Sequence, residues 1–555
     1  MPLTQTEELR QWLAGRPWLN LEKTGAEVQK QLSILRRLPL KPAHRAGLLE
    51  LYHPYLVELT EALEKNLLDA ALPLSPQARA SSRLLLGLSL LMVSNLSQAV
   101  FPPDFKPEGK ARTSSRHDLL LRTTDWLARL GLHQAQIYRP PGARFWKILY
   151  RLYALTAPGG EMENDAQIQA QLARILIFNL ATPHRYRPRE LKQIDLLLRD
   201  FSHLVQFHPR STTGKYKAVF FFDLNTPAPP APIKLLGQIS SPETSPVFVF
   251  PQRLSRKLLQ YATTPGIRGN TILPAPQAKK LAVQLARLLS APKRRRWRRL
   301  AEDRNCQLVV GLGRIVDTLA VQGKMAEGLF EMLRTERKLR EIDGLFDGHF
   351  ELVPLEEETM AHFAGKHLSE TSVHWMLAGD RPQVPTTDIW SEDGPIREKT
   401  QTREKYPGQL ANSSAQGYCL LWIDHTPNIL RIGEPVGILH TQGEIEIGTV
   451  RWMKQDPEPA LSVGLELLSF AVTGVVVYPH MGEIPRANQT CELGLLLPPQ
   501  PALKKPASLL VSPGGWKTGQ WVRVYRDKAY YEVYSLKQRI DATPAYDLFS
   551  LEKIS

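Results

Sequence analysis

The sequence predicts an α+β multidomain protein, in which an α-helical N-terminal half precedes an antiparallel β-barrel that carries a long insertion. Three patterns in the 555 residues support this fold class. Apolar residues recur at helical spacing over about the first 210 residues, apolar and polar residues alternate from Ala411 onward, and residues ~350 to 410 are polar and irregular. A chain of this length is expected to form several domains.

Residues 1–210 are predicted to form a helical bundle or a stack of helical hairpins. Leu48, Tyr52, Leu56 and Leu59 recur at helical spacing, so that one face of their helix is apolar. Proline and glycine residues separate this helix from the next ones. Further helices are predicted over residues 82–99, 118–130, 143–156, 166–180 and 188–207.

Residues 211–290 are predicted to form an α/β connecting region. Residues 216–224 are aromatic and β-branched, which is typical of a buried strand. The proline-rich residues 227–232 that follow indicate a stiff, extended connector. Two more helices are predicted near residues 254–261 and 276–289, and the second leads into a run of arginines where we expect a domain boundary.

The barrel domain is predicted to cover residues 291–480, with the insertion at about residues 318–408. An apolar segment at residues 307–315 reads as its first strand. In residues 444–452 the phase of the apolar alternation changes at Gly448, which indicates a β-bulge there. Residues 481–555 are predicted to be a C-terminal β extension, which adds strands either to this barrel or to a β module of its own.

The composition favours an acidic partner and a reducing compartment. The chain has 70 basic and 55 acidic residues, for a formal charge of +15, which suits a nucleotide, a nucleic acid or an anionic lipid. Cys306, Cys419 and Cys491 are widely separated, which indicates neither a disulfide framework nor a metal site. The longest apolar span, residues 84–93, is about half of what a bilayer needs. We therefore expect a cytoplasmic protein without a transmembrane segment.

The first group of candidate ligand-binding residues is the basic run at residues 293–299. Arg294 and Arg298 are four residues apart, and so are Arg295 and Arg299. A guanidinium group is permanently charged, binds a phosphate through two parallel hydrogen bonds and stacks on a purine. The run also suits a solvated basic cap on the preceding helix, or a nucleic-acid contact.

The second group is Asn412, Ser414 and Gly417, just before an apolar run. Asparagine offers a donor and an acceptor to a base edge, serine offers a hydroxyl group, and glycine permits close backbone approach. Taken alone, this motif is more typical of an ordinary turn. Because no combination of nucleophile, acid and base is visible, the sequence favours a binding protein over an enzyme.

Taken in order, the basic run, a strand, the Asn-x-Ser-x-x-Gly motif and the apolar segments 430–438, 448–452 and 463–467 resemble the PilZ domain, the receptor for the bacterial second messenger cyclic di-GMP. The resemblance covers roughly residues 290–480 and implies a PilZ-like six-stranded β-barrel. In that family an Arg-x-x-x-Arg loop grips the ligand and an Asp- or Asn-x-Ser-x-x-Gly strand completes the site. By resemblance the loop role falls on Arg294 or Arg295 with Arg298 or Arg299, and the strand role on Asn412, Ser414 and Gly417.

The resemblance implies a bacterial signalling protein that binds cyclic di-GMP, has no catalytic activity and uses no cofactor or metal. More than a hundred residues separate the two motifs, which requires the insertion. We expect binding to order the arginine loop and to act on the helical half, of unidentified family, through which a protein partner would be contacted. Two alternatives stay open: a PilZ-like scaffold without a ligand and, less favoured, a nucleic-acid-binding protein.

Overall fold

A computed structural model of the chain describes residues 3–16, 20–102, 114–213, 216–239, 244–265, 271–290, 298–326, 328–329, 405–424, 429–440, 444–455, 461–480 and 491–554. The chain divides into two compact units. The first unit holds Met1–Gly311, Pro407–Ala471 and Thr543–Tyr546. The second unit holds Leu312–Tyr406, Val472–Ala542 and Asp547–Ser555.

The N-terminal half is α-helical, as its apolar periodicity predicts. Asp165 accepts hydrogen bonds from the backbone N–H groups of Gln167 and Ile168, which fixes the start of one helix by side-chain capping. Two of the helices, α6 and α7, have the predicted bounds. The helices are α1 (Thr6–Ala14), α2 (Leu21–Arg37), α3 (Pro42–Lys65), α4 (Pro76–Val100), α5 (Ser114–Gln136), α6 (Ala143–Thr156), α7 (Ala166–Leu180) and α8 (Pro188–Phe201).

Helix α4 is long and apolar enough to cross a membrane, as judged by length and composition alone. In this structure, 56% of its most apolar window is buried. Leu85, Leu88 and Met92 are fully buried in the core of the helical half, together with residues of α2, α3 and α5. These contacts are those of a core helix.

A small sheet follows the helices, in the strand order β1-β6-β4-β5. The apolar residues 216–224 do not form one continuous strand, because Ala218 and Val219 lie outside the strands on either side of them. Phe220 and Phe222 pack into the core of the helices, and Phe221 packs on the opposite face. The elements are β1 (Gln206–His208), β2 (Thr212–Thr213), β3 (Tyr216–Lys217), β4 (Phe220–Asp223), β5 (Ala231–Pro232), α9 (Leu236–Ile239), β6 (Pro246–Phe250), α10 (Gln252–Thr263) and α11 (Ala275–Ser290).

The predicted six-stranded antiparallel barrel is confirmed: six strands close in the order β10-β11-β12-β9-β8-β7. The register shifts between Ile447 and Gly448, where the sequence predicts a β-bulge. The strand predicted at residues 307–315 begins earlier than expected, at Leu300, and also ends earlier, at Val310, because Gly311 adopts a φ of 95°. The strands are β7 (Leu300–Val310), β8 (Tyr406–Ser414), β9 (Gly417–Trp422), β10 (Pro435–Leu439), β11 (Ile445–Gln455) and β12 (Leu461–Ser469).

A second closed barrel follows, in the order β13-β14-β15-β18-β17-β16. The C-terminal strands are thus a module of their own. Residues 474–478 lie within the bounds predicted for the first barrel, 291–480, but they pair here with β14 and β16 of the second. The elements of this unit are α12 (Leu312–Val321), β13 (Thr473–Pro479), β14 (Glu492–Leu497), β15 (Ser508–Val511), β16 (Trp521–Tyr525), β17 (Tyr531–Ala542) and β18 (Asp547–Lys553).

The predicted insertion at residues 318–408 lies for its greater part, residues 330–404, outside the described residues. Its described beginning contains the end of α12 and Met325. A Cβ atom added to Gly474 would lie 3.0 Å from the sulfur of Met325, so this residue packs closely on β13. The start of the predicted insertion therefore covers part of the second barrel.

Candidate functional site

The candidate residues that the structure describes belong to the first barrel and to the segment that directly precedes it. Arg298 and Arg299 are exposed and directly precede β7, whereas Arg294 and Arg295 lie outside the described residues. The Asn-x-Ser-x-x-Gly motif forms the tight connection between β8 and β9. Ser414 is the last residue of β8 and Gly417 the first of β9, and the hydroxyl group of Ser414 donates to the Gly417 carbonyl at 3.1 Å.

The pairing of β8 with β9 brings Asn412 to the outer surface of the barrel. Leu420 and Trp422 are buried, so the alternate positions Gly417 and Cys419 face outward. Asn412 pairs with Cys419 because the register shifts between Leu410 and Asn412. This irregularity places Asn412 on the outer face in place of Ala411, whereas an unbroken ladder would pair Ala411 with Cys419.

Arg299 and Asn412 both act on Cys419. Burial raises the pKa of the Cys419 thiol, and two groups oppose that rise: the positive charge of Arg299 and a hydrogen bond from the Asn412 side chain. A cation at the start of β7 and an amide at the end of β8 therefore lie near one sulfur atom. These two segments are far apart in sequence, and the barrel brings them together.

Strand β7, which begins directly after Arg298 and Arg299, is held beside β8 by two side-chain contacts. The side chain of Gln409 donates a hydrogen bond to the Asp303 carboxylate. Farther along, the Cys306 thiol lies 3.5 Å from the carbonyl oxygen of Gly408. These contacts fix the direction in which β7 begins, and hence the position of Arg299.

Gly417 is required by a close approach of two backbones. A Cβ atom at this position would lie 2.1 Å from the carbonyl oxygen of Leu465 on β12, a separation that no side chain tolerates. The glycine of the motif therefore keeps β9 and β12 together. It also leaves the outer surface beside Asn412 without a projecting side chain.

Trp452 is a neighbour of the site that the sequence did not single out. Its indole lies over Gly464, where an added Cβ atom would fall 1.8 Å from the indole nitrogen. Gly464 pairs with Cys419 on β9, so the indole reaches the same outer face as Asn412. The signal in the sequence was the phase change at Gly448, which was read only as a bulge.

The carboxylate of Glu466, on the strand beside Gly417, is already paired. Glu466, which pairs with Gly417 across β9 and β12, accepts a hydrogen bond from Nε of Arg451 at 2.6 Å. The interior side of the same hairpin holds Tyr418. Burial raises the pKa of its hydroxyl group well above the ordinary value, and a hydrogen bond to Glu446 raises it further.

The helical half contacts the first barrel at residues 430–434 and at the end of β11. Leu72 and Leu430 exchange backbone hydrogen bonds of 2.9 and 2.7 Å. The ring of His184 lies edge-on to the ring of Trp452, with 6.2 Å between their centroids. Arg187, at the start of α8, donates from Nε to the carbonyl oxygen of Ile432 at 2.7 Å.

Gly433 and Glu434 connect this contact region to the strands of the barrel. The N–H of Gly433 donates to the carbonyl of Val450 at 2.7 Å, and the N–H of Val450 donates to the carbonyl of Glu434 at 3.0 Å. Burial raises the pKa of the Glu434 carboxyl, whereas the charges of Arg187 and Arg431 oppose that rise. The loop of residues 432–434 is thus held by Arg187 of the helical half and by the backbone of Val450 on β11.

Within the described ranges, no group of three or more histidine, cysteine, aspartate or glutamate residues is arranged to hold a metal ion. Cys306, Cys419 and Cys491 are not joined in disulfides. The described part of the candidate site offers the guanidinium groups of Arg298 and Arg299, the amide of Asn412, the hydroxyl group of Ser414 and the indole of Trp452.

The barrel and its hairpin motif define a PilZ-type receptor domain, which in sequence follows a helical domain and precedes a second barrel. Three family models match the chain: the cyclic-di-GMP receptor FimW N-terminal domain over residues 7–211, its middle PilZ domain over residues 219–473, and the FimW C-terminal beta-barrel domain over residues 483–554. The chain belongs to the FimW family of cyclic-di-GMP receptors. Comparison with curated proteins and with solved structures gives no match.

The PilZ resemblance read from the sequence is confirmed by the match of the middle domain. The helical half, for which the sequence suggested no family, is the N-terminal domain of the same family. The cyclic di-GMP receptor function expected from the resemblance agrees with the family that all three domains share.

Proposed function

We propose that this receptor binds cyclic di-GMP on the outer face of the first barrel, between Arg298 and Arg299 on one side and the hairpin of Asn412, Ser414 and Gly417 on the other. The observation that carries the proposal is the common neighbour of Arg299 and Asn412, the thiol of Cys419. Arg294 and Arg295, outside the described residues, are assigned to the same site by the family resemblance alone.

The chemistry of the ligand fits these groups. Cyclic di-GMP carries two phosphodiester charges and two guanine bases. Exposed guanidinium groups at the start of β7 offer forked hydrogen bonds to phosphate and flat surfaces to guanine. Asn412 offers an amide to a base edge, and Gly417 leaves room for it. The half-exposed indole of Trp452 provides a second flat surface on the same face.

We propose that the protein binds the dinucleotide without changing it, and that it needs no metal or other cofactor. The groups assigned to the site are cations, an amide, a hydroxyl group and glycine. None of these is paired with a general base in the described hairpin, where the Ser414 hydroxyl donates to a backbone carbonyl. We place this function in the bacterial cytoplasm, which suits three cysteines that form no disulfide.

Binding would reach the helical half through the strands of the barrel. Gly417 pairs with Glu466, which pairs with Thr449 on β11. The next residue, Val450, exchanges backbone hydrogen bonds with Gly433 and Glu434, beside the loop that Arg187 holds. A ligand shifts the arrangement of these elements only by its different affinity for the two states. A protein partner of the helical half would then respond to that shift.

Titration of the full chain with cyclic di-GMP tests the proposal. A micromolar dissociation constant corresponds to about 8 kcal/mol. Millimolar ligand would then stabilise the folded protein by about 4 kcal/mol, which is seen as a rise in melting temperature. An unchanged melting temperature at millimolar ligand would favour the scaffold without a ligand, and linear dinucleotide serves as the control for charge.

Nucleic-acid binding is the remaining alternative and gives a different result. The chain would be retained by single-stranded or duplex nucleic acid, with an affinity that falls steeply as salt is raised. Retention of this kind without a response to cyclic di-GMP would replace the proposed function.

A further inference from the structure

The outer face of the second barrel carries a cluster of aromatic residues on three neighbouring strands, β13, β16 and β17. Val522 and Val524 of β16 are fully buried in the barrel, so the residues that alternate with them face outward. Arg523 pairs with Tyr478, and Tyr525 pairs with Tyr531. We call the outward-facing residues of these strands the aromatic surface: Tyr478, Trp521, Arg523, Tyr525 and Tyr531.

The rings of the aromatic surface pack against each other and around one arginine. The centroid of Tyr525 lies 5.2 Å from that of Tyr478 and 5.1 Å from that of Tyr531. The guanidinium carbon of Arg523 lies 5.8 Å from the centroid of Tyr478 and 5.7 Å from that of Tyr531. Trp521 remains 45% exposed and Tyr531 44% exposed, so this packing leaves much ring surface in contact with water.

Arg523 has no acidic partner among the residues that the structure describes. Its Nε and Nη2 atoms approach only the carbonyl oxygen of Pro479, at 3.4 and 3.3 Å. The positive charge of Arg523 therefore lies beside the rings of Tyr478 and Tyr531. A carboxylate that docked there would be bound by a guanidinium group and shielded from water by the rings, which strengthens the pair.

The outer face formed by β17 and β18 is different. Lys537 on this face forms an ion pair with the Glu552 carboxylate. That face carries charges that the barrel neutralises by itself, as a solvated surface does. Both faces belong to the same closed barrel. The charged face shows that a barrel can close without exposed aromatic residues on its outside, so the aromatic surface is not needed for closure.

We propose that the aromatic surface docks a partner protein that presents a carboxylate among apolar side chains. Tyrosine, tryptophan and arginine are the residues that dominate binding energy at protein interfaces, since rigid rings lose little entropy when they are covered. Nucleic acid fits less well, because the tyrosine rings contact one another at tilted and edge-on angles and leave no separate faces for successive bases. This surface belongs to a different barrel from the proposed dinucleotide site.

Random 16-residue peptides displayed on phage and selected on the full-length protein provide the test. Selected peptides are expected to share an aspartate or glutamate flanked by apolar residues. A synthetic consensus peptide is expected to bind Arg523→Gln and Trp521→Ser at least about tenfold more weakly than the unchanged protein. The matched control is Lys537→Ala, an exposed cation on the other face of the same barrel, which is expected to bind normally.

Three results would overturn the proposal. The first is a selection that enriches the same peptides on Arg523→Gln as on the unchanged protein. The second is binding of oligothymidylate that Trp521→Ser abolishes, which would make the surface a nucleic-acid site. The third is a dimer of the full chain that Trp521→Ser converts to a monomer, since a second copy would then be the occupant. Unchanged melting temperatures show that the variants are folded, and Tyr531→Ser replaces any variant that is not.

Discussion

Arg187 and Ile432, which are 245 residues apart in sequence, are joined by a hydrogen bond of 2.7 Å from Nε of the arginine to the backbone carbonyl of the isoleucine. Arg187 immediately precedes α8, and its backbone N–H donates to the Glu190 carboxylate at 2.8 Å. Ile432 lies in the loop that hydrogen-bonds to β11. A charged donor at the start of a helix therefore fixes the position of a barrel loop.

The first prediction concerns this contact. Arg187→Met leaves the Ile432 carbonyl without its charged donor, and is expected to cost about 1.5–3 kcal/mol of stability. Hydrogen exchange then reports on coupling: addition of cyclic di-GMP is expected to slow exchange at the start of α8 in the unchanged protein, and to do so much less in the variant. The exposed Arg185, replaced in Arg185→Met, is the control. Equal ligand protection in Arg187→Met and the unchanged protein would show that the signal takes another route.

The second prediction concerns the two described arginines of the proposed site. The double variant Arg298→Ala/Arg299→Ala is expected to weaken cyclic di-GMP binding by about 2–5 kcal/mol, because the phosphate charges lose their partners. Calorimetric titration measures this loss. The double variant Arg36→Ala/Arg37→Ala removes an equally exposed adjacent pair at the end of α2 and is expected to bind normally. Unchanged affinity in the first variant would remove these residues from the site.

The third prediction concerns Gly417. A methyl group in Gly417→Ala would meet the Leu465 carbonyl at 2.1 Å and force β9 and β12 apart. We expect a loss of about 1–3 kcal/mol in the free energy of unfolding, measured with urea, together with weaker ligand binding. Gly47 of α3 has no atom within 4 Å of an added Cβ, so Gly47→Ala is expected to be neutral or stabilising. A Gly417→Ala protein as stable as the unchanged one would contradict the close approach.

The fourth prediction concerns pH. Burial lowers the pKa of His133 from 6.5 to about 3, and the charges of Lys192 and Arg129 act in the same direction. Below pH 6.5 the unfolded chain takes up a proton that the folded chain refuses, so stability falls as the pH is lowered from 6.5 towards 3. The slope contributed by this group is at most about 1.4 kcal/mol per pH unit.

Urea unfolding at pH 7.5 and pH 5 measures this dependence. His133→Asn removes the titrating ring and is expected to flatten the decline in stability on acidification. His44→Asn removes an exposed histidine and is expected to keep the decline of the unchanged protein. An equal decline in His133→Asn would show that other groups, such as Asp125 with its pKa held to about 2 by Arg129 and Arg174 against burial, govern acid unfolding.

Local patterns predicted the local elements of the fold well. Helices α6 and α7 have the expected bounds, because each is a regular amphipathic or apolar run limited by turn residues. The bulge at Gly448 could be predicted from the sequence. A change of phase in the apolar alternation would expose apolar side chains to water unless the register shifts at that point. The six-stranded barrel was implied by the resemblance to the PilZ domain, which the order of motifs carried and no single strand did.

Pairing between distant strands was not visible in the same way. The segment that became β13 alternates like its predecessors, and nothing local states that its partners are β14 and β16. Gly311 ended β7 early because a backbone in the left-handed region interrupts an apolar run without changing its hydropathy. Trp452 was missed as a neighbour of the site because its position over Gly464 depends on the pairing of β11 with β12.

Cys306 contacts Gly408, and Asp303 accepts a hydrogen bond from Gln409. These contacts bear on how the sequences of related receptors diverge. Both ends of the long intervening sequence are anchored next to each other on adjacent strands. Each doubling of a connecting loop adds only about 0.6 kcal/mol of closure entropy. Relatives are therefore expected to gain or lose whole stretches between these strands while they retain the proposed dinucleotide site, and motif spacing is a poor criterion for recognising such receptors in genomes.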